Sequence, residues 1–245
     1  MKFDIITIFP KIFDSYFNES ILARAQKNKL IGINTHNLRD YTDDKHKTVD
    51  NPPYGGGAGM VLMAEPILKA VAKLKTKNKK QKTKIVVFSA KGKQFNQKMA
   101  YDWSKKLDQI IFICGRYEGI DERVVKILKA EEVSVGPYVL TDGEVPAMAV
   151  VSAVSRLIPG VIKLESLAEE SHWSRLIKGE KGVKKGERGG LEYPHYTRPE
   201  VLEYKGKKYR VPKVLLSGDH KKIEEWRESH KSDRPNMSGR LDKGK

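Results

Sequence analysis

The chain has 245 residues, with 47 Lys+Arg against 31 Asp+Glu and a formal net charge of +16 at pH 7. Its one cysteine, Cys114, excludes an intramolecular disulfide framework and a cysteine-rich metal site, and suits a reducing, cytoplasmic compartment. No run approaches the ~18 apolar residues of a membrane helix. The opening MKFDIITIFPKIF has an acidic residue inside its apolar run and no small-residue cleavage site, so it reads as a first strand and not as a signal peptide.

In chain order, Phe3 to Phe9 reads as a buried strand. Pro10 opens a helix carrying Ile12, Phe13, Tyr16, Phe17, Ile21 and Leu22 at helical spacing, and Leu30 to His36 is a second strand. The polar stretch RDYTDDKHKTVDNPPYGGGAGM has no regular period. A helix over Glu65 to Leu74 precedes the lysine-rich KLKTKNKKQKTK, a solvated loop. Then come a strand over Lys84 to Ser89, a helix over Gln94 to Lys106, a strand over Gln109 to Cys114 and a helix over Gly119 to Ala130. Glu132 to Val135 is a short strand, Tyr138 to Leu140 an extended piece and Gly143 to Leu157 a helix. Apolar strands alternating with helices specify an α/β domain with a mostly parallel sheet covered on both faces.

From Gly160 the texture changes. RLIKGEKGVKKGERGG, Arg175 to Gly190, mixes five glycines with alternating charge and has no apolar period, the composition of a linker or lid. A small basic region follows, with a helix over about Asp219 to His230 and a polar tail. The expected organisation is a domain over 1–160, a linker over 161–192 and a small basic domain over 193–245.

Ligands of such sheets collect at the carboxyl ends of the strands. Three segments qualify: FSAKG after the Lys84 strand, CGRYEGID after the Gln109 strand and SVGPYVLTDGEVPAM after the Glu132 strand. Gly115 and Gly119 let the backbone turn and approach a ligand, while the first amides of the next helix point outward; a plain strand-to-helix turn has the same spacing. Four glycines in Gly55–Gly59 suit a close partner surface, a phosphate cradle or a bare surface loop. Neither G-x-G-x-x-G nor G-x-x-x-x-G-K-[ST] is present, which disfavours a dinucleotide or nucleoside triphosphate enzyme. The six histidines show no metal-ligand spacing, so no metal site is expected. Glu118, Asp121, Glu122, Asp142, Glu144, Glu169 and Glu170 remain as candidate acid or base groups among carboxylates that mostly serve as caps or solvated charges. The positive balance favours a polyanionic partner such as nucleic acid.

TVDNPPYGGGAGM, CGRYEGIDER, SVGPYVLTDGEVPAM, VSRLIPG, PHYTRPEVLE and LLSGDHKKIEEWR, in this order, resemble the pattern of bacterial tRNA (guanine-N1)-methyltransferases, the TrmD family of the SPOUT superfamily. The resemblance runs from Met1 to about Arg227. It implies an α/β SPOUT-type fold, mostly parallel, with a deep trefoil knot in the carboxyl half of its catalytic domain, plus a small, mainly helical C-terminal domain. It implies S-adenosylmethionine as cofactor, and methyl transfer to N1 of the guanine immediately 3′ of the anticodon, position 37 of tRNA. It also implies a homodimer whose active site lies across the interface. Cofactor contacts carry over to Phe88, Ser89, Gly115, Tyr117, Glu118, Gly119, Val135, Gly136, Tyr138, Leu140, Gly143 and Pro146, mostly through backbone groups. RNA contacts carry over to Arg198, His220 and Arg227, although Arg198 equally suits a role beside Glu200.

Methylating N1 of neutral guanine requires a base for the N1 proton and a cation for charge accumulating on O6. By resemblance the cation is Arg156. The base is Glu170 in LAEESHW, standing where the family usually has aspartate; an ungapped reading puts Ser171 there. Where the family often has Gly-Gly, this chain has Asp142-Gly143, a carboxylate near the cofactor's amine end or a cap for the next helix. The other function compatible with these features is a non-catalytic RNA-binding module on a SPOUT-like scaffold.

Overall fold

The computed structural model describes residues 1–75, 80–163 and 193–230. The chain divides into two compact units, Met1–Lys163 and Leu164–Lys245. In the first, five strands form one all-parallel sheet: β1 (Lys2–Thr7), β2 (Gly32–Asn37), β5 (Thr83–Gln94), β6 (Gln109–Ile113) and β7 (Glu131–Ser134), in the order β2-β1-β6-β5-β7. β6 is central and buried at every position, which is why QIIFI has no polar alternation.

Strand parity sorts the core into two layers. Ile6, Val87, Ile111 and Ile113 face Ile67, Ala70 and Val71 of α3 (Ala64–Leu74) and Val124 of α5 (Glu122–Leu128). Phe3, Phe88 and Phe112 have the opposite parity and stack, with centroids 6.3 Å and 5.4 Å apart. α4 (Gln97–Lys106) packs on α6 (Glu144–Ser155), and α6 meets β1. Among the described residues no helix is long and apolar enough to cross a membrane.

Four sequence expectations change. The helix from Pro10 is broken into a 3-10 turn (Pro10–Phe13), α1 (Asp14–Phe17) and α2 (Ser20–Lys27), with Ser20, the first residue of α2, at φ 52°. The strand at Lys84 does not stop at Ser89: it runs to Gln94, displacing the start of α4 to Gln97, where Asn96 accepts from the Met99 amide at 3.0 Å. Its register slips so that Phe88 and Lys93 both lie opposite Val133. Gly92 permits this close return, since a Cβ there would lie 2.6 Å from the Val133 nitrogen. The piece over Tyr138 to Leu140, expected to be extended, begins with a bend at Tyr138 and has no regular structure. The aperiodic stretch before Val61 is ordered by side chains instead of periodicity: Asp44 accepts from the Thr48 hydroxyl at 2.8 Å and the His46 amide at 3.1 Å. Within and beyond it, two short strands pair, β3 (Asp50–Asn51) and β4 (Val61–Leu62).

In the second unit the described residues form an antiparallel hairpin, β8 (Val201–Tyr204) with β9 (Lys207–Arg210), followed by α7 (Lys213–Leu216) and α8 (His220–Ser229). The hairpin is an addition to the helical expectation. Lys205 and Gly206 turn it with φ of 51° and 72°, the left-handed pair that matches strand twist. Trp226 of α8 stacks on His230 at 4.1 Å and meets Tyr196 edge-on.

At the amino ends of the strands, Asp4 is fully buried and accepts from Gln109 Nε2 at 2.7 Å, with His36 Nε2 at 2.8 Å and Lys2 Nζ at 3.0 Å. Gln109 also donates to the Leu74 carbonyl and accepts from the Thr83 hydroxyl, so one network ties β1, β2, β5, β6 and α3. Burial works to raise the Asp4 pKa, but its bonds to His36, Gln109 and Lys2 hold it below the ordinary 3.8. A carboxyl lowered on folding stabilises above its unfolded pKa and loses that contribution as pH falls through the folded value. Asp4→Ala should therefore cost about 3 kcal/mol in urea titrations at neutral pH, with the deficit shrinking below about pH 4; an unchanged midpoint would show that the network adds nothing.

Candidate active site

The register slip in β5 and the carboxyl ends of β6 and β7 open onto one cleft. It is lined by Phe88, Ser89 and Ala90 from the first, Gly115 to Gly119 from the second, and Val133 to Val135 with Tyr138 to Gly143 from the third; Pro146 of α6 completes it. Each loop enters through a local backbone feature. Ser89 and Ala90 fall in the register slip of β5. Tyr117, with φ 57°, and Gly119, with φ 124°, adopt the left-handed conformation, and for tyrosine that is a strained state held by its surroundings. The Ser134 hydroxyl donates to the Gly136 carbonyl at 2.8 Å and tightens the third loop.

The GRYEG loop is bonded on its outer side to the end of the glycine-rich segment. The Glu118 amide donates to the Met60 carbonyl, the Leu62 amide to the Gly119 carbonyl and the Asp121 amide to the Leu62 carbonyl, each at 3.0 Å. Gly55, Gly56, Gly57 and Gly59 all have positive φ, and a Cβ on Gly59 would fall on the Glu118 side chain. The glycine cluster thus backs the cleft wall. One of the amides expected to point outward at the start of the helix is capped: α5 begins at Glu122, and the Asp121 side chain accepts from the Arg123 amide.

Three charged groups brace the floor. Glu144, fully buried at the start of α6, accepts from the Thr7 hydroxyl at 2.5 Å and from Arg116 Nε at 3.1 Å. Arg116 also covers the Phe9 ring at 4.7 Å. Burial pushes the Glu144 carboxyl up in pKa, opposed by Thr7 and Arg116. Asp142 accepts from the Val145 amide at 2.9 Å and the Thr141 hydroxyl at 3.1 Å. Burial raises its pKa, yet these bonds and Arg116 bring the net shift downward, so it is anionic at neutral pH. Burial also drives the Cys114 thiol well up, which leaves it an inert packing group.

Gly143 lies directly against neighbouring backbone. Its amide donates to the Gly115 carbonyl at 3.0 Å, and a Cβ would lie 2.7 Å from Cys114 Cα and 2.8 Å from the Gly115 nitrogen. Its φ of −91° suits any residue, so the glycine is demanded by space alone.

Of the positions carried over as cofactor contacts, all except Gly136 line this cleft; Gly136 shapes the adjoining turn, its missing side chain leaving room for the Tyr138 ring. Arg156 is elsewhere. It caps the carboxyl end of α6 and borders a second hollow with Tyr16, Ile21, Ser152 and Ile162. Glu169, Glu170 and Ser171 lie outside the described residues. In the second unit, His220 opens α8, and the Arg227 guanidinium covers the Tyr193 ring at 4.9 Å. Arg198 precedes Pro199 at an exposed position. Sequence reasoning passed over Arg116 and Thr7, whose only signal is that Glu144, far from both along the chain, is buried.

The family described as tRNA (Guanine-1)-methyltransferase TrmD matches residues 1–243. The chain belongs to this family. Proteins called tRNA (guanine-N(1)-)-methyltransferase resemble it throughout. The one from Ruminiclostridium cellulolyticum is 48% identical over 235 residues, covering 96% of this chain and 92% of its own. That from Thermomicrobium roseum is 50% identical over 227 residues, covering 93% and 77%. That from Dictyoglomus turgidum is 49% identical over 229 residues, covering 93% and 83%. As a TrmD-family member the chain has the parallel α/β SPOUT-like fold, is a tRNA (guanine-N1)-methyltransferase and draws its methyl group from S-adenosylmethionine.

The cleft fits that cofactor on its own features: glycine backbone at Gly115, Gly119 and Gly143 allows close approach, and the lining holds two carboxylates, Glu118 and Asp142, against one cation, Arg116. Gly143→Ala should push α6 off the end of β6, destabilise the fold by about 1–3 kcal/mol and weaken S-adenosylmethionine binding at least about tenfold. Thermal melting and calorimetric titration would read both, and retention of both values would mean that the Cys114–Gly143 contact is slack.

Proposed function

We propose that this chain methylates N1 of the guanine immediately 3′ of the anticodon, position 37, in tRNA, within the cytoplasm. The observation that carries the reading is the convergence of the β5 register slip and the loops after β6 and β7 on one glycine-edged cleft in a chain whose net charge is +16. Phe88, Ser89, Gly115, Tyr117 to Gly119, Val135, Gly136, Tyr138, Leu140, Gly143 and Pro146 would hold S-adenosylmethionine, which when bound supplies an activated methyl group. The carboxyl half of the first unit would be threaded as a trefoil knot. The contact of Gly143 with Cys114 and Gly115, segments distant in sequence and packed at backbone distance, supports that threading.

The remaining work falls to side chains. Glu170 would take the N1 proton, and Arg156 would bear the charge that accumulates on O6. Arg156 ends a 12-residue helix whose other end borders the cofactor cleft, a span of ~18 Å at 1.5 Å per residue. It therefore serves the cleft of a second copy. Phe9, Ile12, Tyr16 and Ile21 stay 38–45% exposed, and the last two share a hollow with Arg156. Such an apolar surface beside a functional arginine fits a homodimer interface. Residues 161–192 would form a lid, and 193–245 a small domain in which Arg198, His220 and Arg227 face the anticodon stem-loop.

Transfer of labelled methyl to tRNA transcripts, with and without guanine 3′ of the anticodon, tests the substrate: only the former should accept label. Glu170→Gln should lower turnover at least about 100-fold with cofactor binding intact, and Ser171→Ala should stay near the parent; the reverse order would move the base to Ser171. Inactive Arg156→Ala and cleft-filling Leu140→Trp chains, refolded together, should regain activity through the mixed dimer. No recovery would put Arg156 and the cofactor on the same chain.

A further inference from the structure

The donor of this reaction and its spent form differ by one charge: the sulfonium is positive, and after the methyl leaves the thioether is neutral. An enzyme gains by holding the first more firmly than the second. The cleft has a fixed anion suited to that task.

Against a chain charge of +16, the cleft lining carries Glu118 and Asp142 opposite Arg116. Arg116 is already engaged, since its Nε meets the fully buried Glu144 at 3.1 Å. Its Nη2 stands 3.9 Å from Asp142, too long for a hydrogen bond. One guanidinium thus faces two carboxylates, and Glu144 makes the closer bond. Asp142 is also tethered. The Val145 amide and the Thr141 hydroxyl hold its two oxygens, and its side chain is only 13% exposed. A tethered, half-compensated carboxylate in a partly dehydrated wall attracts a cation far more strongly than the same group in water.

We propose that Asp142 is a specificity-determining residue that makes the cleft prefer the charged methyl donor to its neutral product, so that product leaves without competing with fresh donor. The inference rests on the reading of this cleft as the cofactor site.

Asp142→Asn removes the charge and keeps a side-chain oxygen for the Val145 amide. Calorimetric titration of the parent and this variant with S-adenosylmethionine and S-adenosylhomocysteine, at low and at high salt, tests the idea. The donor's affinity should fall about tenfold at low salt, the product's should stay within about twofold, and the donor's loss should shrink at high salt. An equal loss for both ligands would make Asp142 a loop brace or a partner of the ammonium they share, and unchanged affinities would make it a spectator; either result overturns the proposal. A parent chain that binds neither ligand would overturn the cofactor reading of the cleft itself.

Discussion

The structure turns on one close approach. Gly143, at the head of α6, lies against the backbone of Cys114 and Gly115 at the end of β6, with room for no side chain. Two segments that distant in sequence meet at such a distance only when the hydrogen-bonding groups between them are satisfied, and here the Gly143 amide bonds to the Gly115 carbonyl. The next residue, Glu144, extends the clamp by engaging Thr7 of β1 and Arg116 of the β6 loop. Three chain segments are locked by two consecutive residues.

This clamp explains why the loops above it are able to be irregular. Tyr117 holds a left-handed conformation and β5 slips its register, both of which cost free energy unless the surroundings over-determine them. The clamp supplies a rigid base from below, and the backbone bonds from Met60 and Leu62 supply a rigid wall from outside. At the opposite end of the sheet, the Asp4 network gives the strands a second anchor far from the ligand side. Strain and openness are thereby confined to the carboxyl ends, where a parallel α/β sheet binds its ligands.

Charge is partitioned in the same way. The chain as a whole is strongly cationic, which suits a phosphate backbone, while the cleft lining has more carboxylates than cations. A polyanionic substrate and a cationic donor place opposite demands on one protein. Separating them in space, with acids drawn into the wall of the cleft and lysines left on the surface, meets both.

Sequence alone determined the alternation of strands and helices, the central burial of QIIFI and the two cleft loops after β6 and β7, because each follows from local periodicity or from glycines framing a strand end; the third expected loop, FSAKG, lies inside β5. The ordered motifs CGRYEGIDER, SVGPYVLTDGEVPAM and VSRLIPG were enough for the family. It did not show the slip in β5, the break at Ser20 or the β8–β9 hairpin, since each depends on which surface a neighbour covers. Nor did it separate Arg156 from the cofactor residues: VSRLIPG lies close to them in sequence, and only the straight run of α6 carries it to the other end of the unit. Glu144 shows the same division. On paper it was one carboxylate among several; burial between Thr7 and Arg116, groups brought together by strand order and not by spacing, gave it its place.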